Sequence, residues 1–289
     1  MTAAIVGSSG YIGSALRLRL EKEPNVDRVL GIDQTGESDF FLDLSHAEMF
    51  DYGCLEQVDS VIFTAAISGP DKCASDYDFC WGINVTGTSR FIQEALRRNC
   101  RVLFFSSDAV FGDIPGEIYT ELSETRASTA YGRMKKEIED QFKNDPGFKA
   151  IRLSYVVSSK DRFVSYCLNC IREGRTAEVF HPFYRNCISL NDVLNVVCWM
   201  LSNWDRYEPW VLNVAGAELV SRLRIADEIN RLLDNKLLYA VRCPDDGFYQ
   251  NRPRITQMKS LYMRSYQILS ERNFTETIKL ELEDINHEL

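Results

Sequence analysis

Long apolar runs are missing from this 289-residue sequence, and no segment approaches the roughly 20 apolar residues needed to span a bilayer. The opening stretch Met1-Thr2-Ala3-Ala4-Ile5-Val6-Gly7 has no basic region and only a short apolar one, so no export signal is read there and a cytoplasmic location with no membrane contact is expected. Basic residues are also in deficit. Lys and Arg number 33 against 42 Asp and Glu, a net charge of −9, which argues against a nucleic-acid partner because duplex binders carry a basic surface. Histidine is scarce, and His46, His181 and His287 are too dispersed to form a metal cluster. The nine cysteines are odd in number and scattered; Cys167 and Cys170 have C-x-x-C spacing but no second pair or histidine beside them. They read as small buried hydrophobes of a reduced compartment, and no metal is expected. No internal repeat, low-complexity run or flexible linker divides the chain.

What is present is alternation. Short, mostly apolar runs over Thr2–Val6, Arg28–Ile32, Ser60–Ala65, Arg101–Ser106 and Lys149–Leu153 alternate with amphipathic stretches over Tyr11–Glu21, Asp76–Arg98 and Ala130–Lys143. Pro24 and Pro146 stand just past two of those stretches, where helices stop. Strands apolar at four or five successive positions suit a parallel sheet covered on both faces. The expected fold is α/β, a doubly wound parallel (Rossmann) sheet with a smaller, interleaved C-terminal lobe. The nucleotide-binding domain is expected over 1–157 and the substrate lobe over 158–289. In that lobe Asp161–Gly174, Asn191–Asn203 and Arg222–Leu233 read as helices, and a strand at Trp210–Val214 rejoins the sheet.

Gly7-Ser8-Ser9-Gly10-Tyr11-Ile12-Gly13 joins the first strand to the first helix. Glycines spaced three apart allow a tight turn, close backbone approach to a pyrophosphate, and close helix–strand packing. Gly7, Ser9, Gly10, Tyr11, Ile12 and Gly13 are therefore candidate cofactor contacts. Asp33 follows Gly13 by 20 residues, at the end of the second strand, where an acidic group accepts hydrogen bonds from the adenosine ribose and repels a 2′-phosphate. Gln34-Thr35-Gly36 offers no compensating cation, so NAD(H) is favoured over NADP(H).

Tyr131 and Lys135 are four apart on one helical face. A tyrosine titrates near 10, and a neighbouring ammonium stabilises the phenolate and lowers that value. The bland alternative is a solvated helix face carrying Lys135, Lys136 and Glu137. Phe104-Phe105-Ser106-Ser107-Asp108 changes the balance, since here an apolar strand ends in hydroxyls 24 residues before the tyrosine. Ligands of open α/β sheets bind outside the carboxyl ends of strands, so Ser107 can orient a substrate oxygen while Tyr131 moves the proton.

With these residues in view, the sequence resembles the extended short-chain dehydrogenases/reductases of the nucleotide-sugar-modifying, NAD-dependent epimerase/dehydratase branch, and is most similar to the dTDP-4-dehydrorhamnose reductase-like group. The likeness runs through the glycine loop, Asp43-Leu44, Ala65-Ala66, Asn84-Val85-Thr86-Gly87-Thr88, Ser107-Asp108-Ala109-Val110-Phe111 and Tyr131/Lys135. It continues through Arg152-Leu153-Ser154-Tyr155, Ser189-Leu190-Asn191-Asp192-Val193, Leu212-Asn213-Val214 and Arg252-Pro253-Arg254. The resemblance implies an oxidoreductase with Ser107, Tyr131 and Lys135 as its catalytic set. It also implies cofactor contacts from Asp43, Leu44, Ala65, Ala66 and Asn84, the last holding the geometry from behind. It further implies a nucleotide-sugar substrate met by Ser107 and Asp108, and a homodimer through the helices near 76–98 and 130–143. Arg185, Arg252 and Arg254 are the candidates to clamp an acidic diphosphate, since guanidinium forks bind phosphate oxygens bidentately; surface ion pairs are the alternative.

Within that branch, dehydratases carry an Asp-Glu pair after the catalytic hydroxyl; Asp108 is followed instead by Ala109, which removes the base for elimination. Ser107-Asp108-Ala109-Val110-Phe111 follows the reductase pattern, which points to a 4-keto reductase. A nucleotide-sugar 4-epimerase is the alternative reading, and a cofactor-binding regulatory subunit without turnover is the alternative of another class. The segments Tyr155–Ser159, His181–Tyr184 and Ser189–Asn191 depart from the usual pattern on the substrate side, which leaves the sugar unnamed.

Overall fold

The computed structural model describes residues 1–35, 37–114 and 116–283; Gly36 and His287 lie outside the described residues. The expected apolar runs become β1 (Thr2–Val6), β2 (Arg28–Asp33), β4 (Ser60–Phe63), β5 (Arg101–Ser107), β6 (Phe148–Leu153) and β7 (Val211–Val214), joined by a two-residue β3 (Phe40–Phe41). They form one seven-stranded sheet in the order β7-β6-β5-β4-β1-β2-β3. The pairs β1/β2, β1/β4, β4/β5 and β2/β3 run parallel, in register Ala4↔Leu30, Ala4↔Val61, Val61↔Val102 and Ile32↔Phe40. Every residue of β4, β6 and β7 is buried, as strands covered on both faces must be. The fold is the doubly wound parallel sheet expected from the sequence.

The covering helices owe their placement to apolar stripes of helical period. α1 (Tyr11–Leu20) buries Gly13, Leu16 and Leu20. α4 (Thr88–Arg97) buries Thr88, Phe91, Ile92 and Ala95, and Phe91 meets Phe63 at 5.7 Å between ring centroids, within the range of an attractive aromatic pair. The stretch 76–98 is not one α-helix. α2 (Pro70–Ser75) and α3 (Tyr77–Trp81) come first, and residues Gly82–Gly87 form a π-helical segment before α4. α5 (Ala130–Phe142) starts at Thr129, whose hydroxyl accepts from the Gly132 amide at 3.1 Å, and buries Ala130, Met134, Lys135, Ile138, Glu139 and Phe142. Two charged residues, Lys135 and Glu139, thus lie on the buried face of this helix.

The chain divides into two compact units. The first holds 1–112, 124–152 and 196–212; the second holds 113–123, 153–195 and 213–289. Against the single boundary at 157 drawn from the sequence, two further segments change sides. In the second unit, strand Tyr184–Asn186 pairs antiparallel with Leu219–Ser221 and parallel with Ile255–Met258, which in turn pairs with Ile118–Tyr119. Helices Arg162–Arg172, Arg222–Leu232 and Phe274–Leu282 enclose this unit's own core, which includes Val164, Leu168, Ile229 and Ile278.

Candidate functional site

The chain order reverses at β1. β2 and β3 extend the sheet to one side, and the chain then crosses to β4 on the other. Ligands of such sheets bind at this switch point, outside the carboxyl ends of the strands. Gly7 stands there with φ of +88°, a left-handed conformation; a Cβ on it would lie 2.7 Å from the Ala65 amide nitrogen and 2.8 Å from the Thr64 hydroxyl. A Cβ on Gly13 would lie 2.0 Å from the Gly7 carbonyl, so the glycines let the loop and α1 close on each other. Gly10 caps α1 without a side-chain hydrogen bond, which leaves the helix N-terminus open to an anion. This cradle fits a dinucleotide pyrophosphate.

Asp33 ends β2 and reaches the same loop. Its carboxylate accepts from the Ser9 amide at 2.8 Å, the Ser9 hydroxyl at 2.6 Å and the Gln34 amide at 2.6 Å. A carboxylate offers about four lone-pair sites, so capacity remains for a ribose hydroxyl. Asp43 accepts from the Ser45 amide and hydroxyl at 2.9 and 2.6 Å, and the Ser45 hydroxyl, with lesser help from His46, holds its carboxyl below the usual range. Leu44 follows it and touches the π segment, where a Cβ on Gly87 would strike the Leu44 carbonyl at 1.9 Å. Ala65 is tied to β1 by its amide, 3.0 Å from the Val6 carbonyl, and with Ala66 is half-buried. Asn84 is buried in the π segment; its amide oxygen accepts from the Ile67 amide at 2.8 Å and its amide nitrogen donates to the Ile67 carbonyl at 2.9 Å. It also reaches Met134 of α5 at 3.5 Å. That geometry braces the loop after β4 against α5 from behind.

Ser107 ends β5. Its hydroxyl donates to Asp108 at 3.1 Å and accepts from the Ala109 amide at 3.2 Å. Lys135 is 3% exposed; its ammonium donates to the Phe105 carbonyl at 2.7 Å, lies 4.5 Å from the Phe104 ring centroid and 5.7 Å from that of Tyr131. The carbonyl end of β5 and the first turns of α5 thus bring Ser107, Tyr131 and Lys135 into one neighbourhood. Burial pulls Lys135 down to about 7, opposed by Glu139 and Cys73. Burial also pushes the Tyr131 phenol above its ordinary value, with Cys73 and Asp108 adding to the effect. This departs from the lowered tyrosine expected from the spacing alone. The physical reason is that desolvation of the phenol outweighs the support of the neighbouring ammonium, which is itself withdrawn from water.

Arg185 and Arg252 belong to the second unit and share one aromatic frame. Arg185 donates to the carbonyls of Tyr184 and Pro253 at 2.6 and 2.8 Å and lies 4.4 Å from the Phe183 ring. Arg252 lies 4.9 Å from Phe248. Register unites them, because Tyr184 pairs with both Ser221 and Ile255. It also brings in Arg222, which the sequence reading missed. Arg222 lies 4.9 Å from Phe183, 5.1 Å from Phe163 and 6.0 Å from Phe248. Its guanidinium pKa is lowered by burial, and its Nε is buried with no hydrogen-bond partner among the described residues. No local motif marks it, since the three rings around it come from distant segments. Among the described residues, no helix is long and apolar enough to cross a membrane.

The profile of the RmlD substrate binding domain matches residues 1–287. The chain belongs to this family. The resemblance read from the sequence is thereby borne out. The UDP-glucose 4-epimerase 1 of Oryza sativa subsp. japonica is 28% identical over 178 residues, covering 53% of this chain and 50% of that protein, so the chain spans only about half the length of this curated relative. A crystallised dTDP-4-dehydrorhamnose reductase from Clostridium acetobutylicum superposes with a TM-score of 0.83 at 23% identity, over 99% of both chains. The UDP-glucose 4-epimerase of Thermus thermophilus, solved with NAD, gives 0.81 at 16% identity over the full length of both. Likeness at these identities speaks for the fold.

Proposed function

We propose that this protein is an NAD(H)-dependent oxidoreductase acting on a nucleotide-linked sugar, and that it reduces a 4-keto group. The observation that carries the reading is the grouping of Ser107, Tyr131 and Lys135 at the carboxyl end of β5, one sheet position from the glycine cradle at β1 and β4. The family, with dTDP-4-dehydrorhamnose reductases and nucleotide-sugar epimerases among its structural likenesses, supports the substrate class.

In this reading Gly7, Ser9, Gly10, Tyr11, Ile12 and Gly13 hold the pyrophosphate, Asp33 the adenosine ribose, and Asp43, Leu44, Ala65, Ala66 and Asn84 the rest of the cleft. The nicotinamide, when bound, supplies the hydride. Ser107 donates a hydrogen bond to the substrate carbonyl oxygen, and Tyr131 delivers the proton to that oxygen as the C–O double bond becomes single. Lys135 holds the nicotinamide ribose and supports the phenolate left behind. Asp108 keeps Ser107 in place and lies beside the substrate. Arg185 and Arg252 take the diphosphate, where a planar guanidinium gives two parallel hydrogen bonds to phosphate oxygens. Domain roles follow: cofactor in the first unit (1–112, 124–152 and 196–212), substrate groups in the second (113–123, 153–195 and 213–289), with a homodimer through the helices near 76–98 and 130–143.

The partial match to the rice epimerase favours a second reading, a 4-epimerase with the same residues. One assay separates them. The purified protein is mixed with a panel of nucleoside diphosphate 4-keto sugars and NADH or NADPH, and products are identified by mass and stereochemistry. A reductase consumes one equivalent of reduced cofactor per product; an epimerase interconverts nucleotide hexoses with no net consumption. Binding of cofactor with neither reaction across the panel would support the regulatory-subunit reading and overturn both.

A further inference from the structure

α5 carries a third charged or ionisable residue on its buried face, one turn beyond Lys135. Glu139 is 2% exposed. Its carboxylate accepts from the Ser106 hydroxyl at 2.5 Å, from Arg152 Nε at 2.9 Å and from Arg152 Nη2 at 2.6 Å. Arg152 projects from β6 with its side chain 3% exposed, its guanidinium 5.0 Å from the Phe111 ring and 5.5 Å from that of Trp210, and its buried Nη1 has no hydrogen-bond partner among the described residues. A buried ion pair is a poor way to gain stability, since apolar residues of like volume serve as well or better. Its position gives it another use. β5 is fastened to α5 at two successive residues, by the Phe105 carbonyl to Lys135 and by the Ser106 hydroxyl to Glu139. Both fastenings immediately precede Ser107, and on the helix side both follow Tyr131 within about two turns.

We infer that Glu139, held by Ser106 and Arg152, is a positioning residue that fixes the Ser107 end of β5 against α5 and keeps an anion one turn from the Lys135 ammonium. The inference rests on the role given to Lys135 under Proposed function. The charged and titratable groups facing Lys135 are Glu139 and Tyr131 on its own helix and Cys73 from α2; Asp108 lies beyond the phenol and Arg152 stands behind Glu139 from β6. Besides Glu139, the ammonium has one carbonyl at 2.7 Å and the faces of Phe104 and Tyr131, with Cys73 nearby. Taking away the Glu139 charge lowers the Lys135 pKa. Binding that needs the ammonium then fails at lower pH.

The test is calorimetric titration of NADH into the full-length protein between about pH 6 and 9, for the wild type, Glu139→Gln, the double variant Glu139→Gln/Arg152→Met, and Lys135→Met, with a thermal melt of each. Wild-type affinity declines as pH rises through the Lys135 titration near 7. In Glu139→Gln the midpoint moves down by about one pH unit, so that binding between the two midpoints is up to tenfold weaker, and in the double variant, which also removes the Arg152 cation, it moves down by a smaller amount. Lys135→Met gives a flat profile. The double variant leaves no bare Arg152 charge, so it decides the matter if Glu139→Gln alone fails to fold. Lower melting temperatures with an unmoved midpoint in the folded Glu139 variants, while Lys135→Met flattens the profile, would overturn the inference and leave the reading of Lys135 standing. A Lys135→Met profile equal to wild type would instead overturn the role of Lys135 and the inference with it.

Discussion

Gly132 sits between the two halves of the candidate catalytic set, and replacing it with alanine isolates their mutual placement from their chemistry. A Cβ at this position would lie 2.0 Å from the Ala109 carbonyl oxygen and 2.8 Å from its carbon, both backbone atoms of the turn that follows Ser107. Ordinary contact begins at 3.4 Å, so α5 and that turn must separate by roughly 1.4 Å. The helix itself gains, because alanine is favoured over glycine by about 1 kcal/mol in a helix interior. Overpacking costs about 1–3 kcal/mol. The two nearly cancel, and Gly132→Ala should unfold in urea within about 2 kcal/mol of wild type. Catalysis has no such compensation, since a misplacement of about 1 Å costs about 10²-fold. With the keto-sugar substrate and NADH, kcat/KM should fall by about that factor while the protein stays folded. Gly82→Ala is the control: among the described residues nothing lies within 4 Å of the added Cβ, and activity should hold. Full activity in Gly132→Ala with unchanged stability would refute the claim that close approach of α5 to the Ser107 turn sets the geometry.

Tyr131→Phe keeps the ring and removes the proton donor, so cofactor binding should survive while turnover falls by about 10²–10⁴-fold; near-normal turnover would remove Tyr131 from the mechanism. Asp33→Ala should narrow the preference for NADH over NADPH by roughly tenfold, the scale of a unit charge facing a phosphate at a watery surface, as read by fluorescence titration of both cofactors; a wild-type preference for NADPH would contradict the reading. Arg185→Ala and Arg252→Ala should each raise the substrate KM and leave cofactor affinity nearly unchanged, and unaltered substrate kinetics in both would make them surface residues.

The sheet was legible because its strands are buried on both faces and therefore read as largely apolar runs; β1 and β4 needed no tertiary information. The glycine loop and Asp33 were legible for a different reason, since their spacing is a local consequence of one strand, one turn and one helix. Glu139 was hidden. In Lys135-Lys136-Glu137-Ile138-Glu139 it looks like part of a solvated face, and only the docking of α5 on β5 and β6 buries it against Ser106 and Arg152. Arg222 was hidden likewise, by partners drawn from three separate segments. The direction of the Tyr131 shift escaped because spacing reports which groups are neighbours and says nothing of how far both are withdrawn from water.

The π-helical segment at Gly82–Gly87 has a consequence for how this helix tolerates change in length. A π segment amounts to one residue inserted into an α-helix, and each α-helical residue turns the chain by about 100°. Asn84 lies within that insertion. Deleting one residue from the segment would relax it to regular α-helix and improve the hydrogen-bond ladder. It would also rotate Asn84 by about a quarter turn, away from Ile67 and Met134, and break the brace between the loop after β4 and α5. Variation in length is thus free on one side of the insertion's function and closed on the other: the irregular turn is kept by what it aims, at the expense of the helix that contains it.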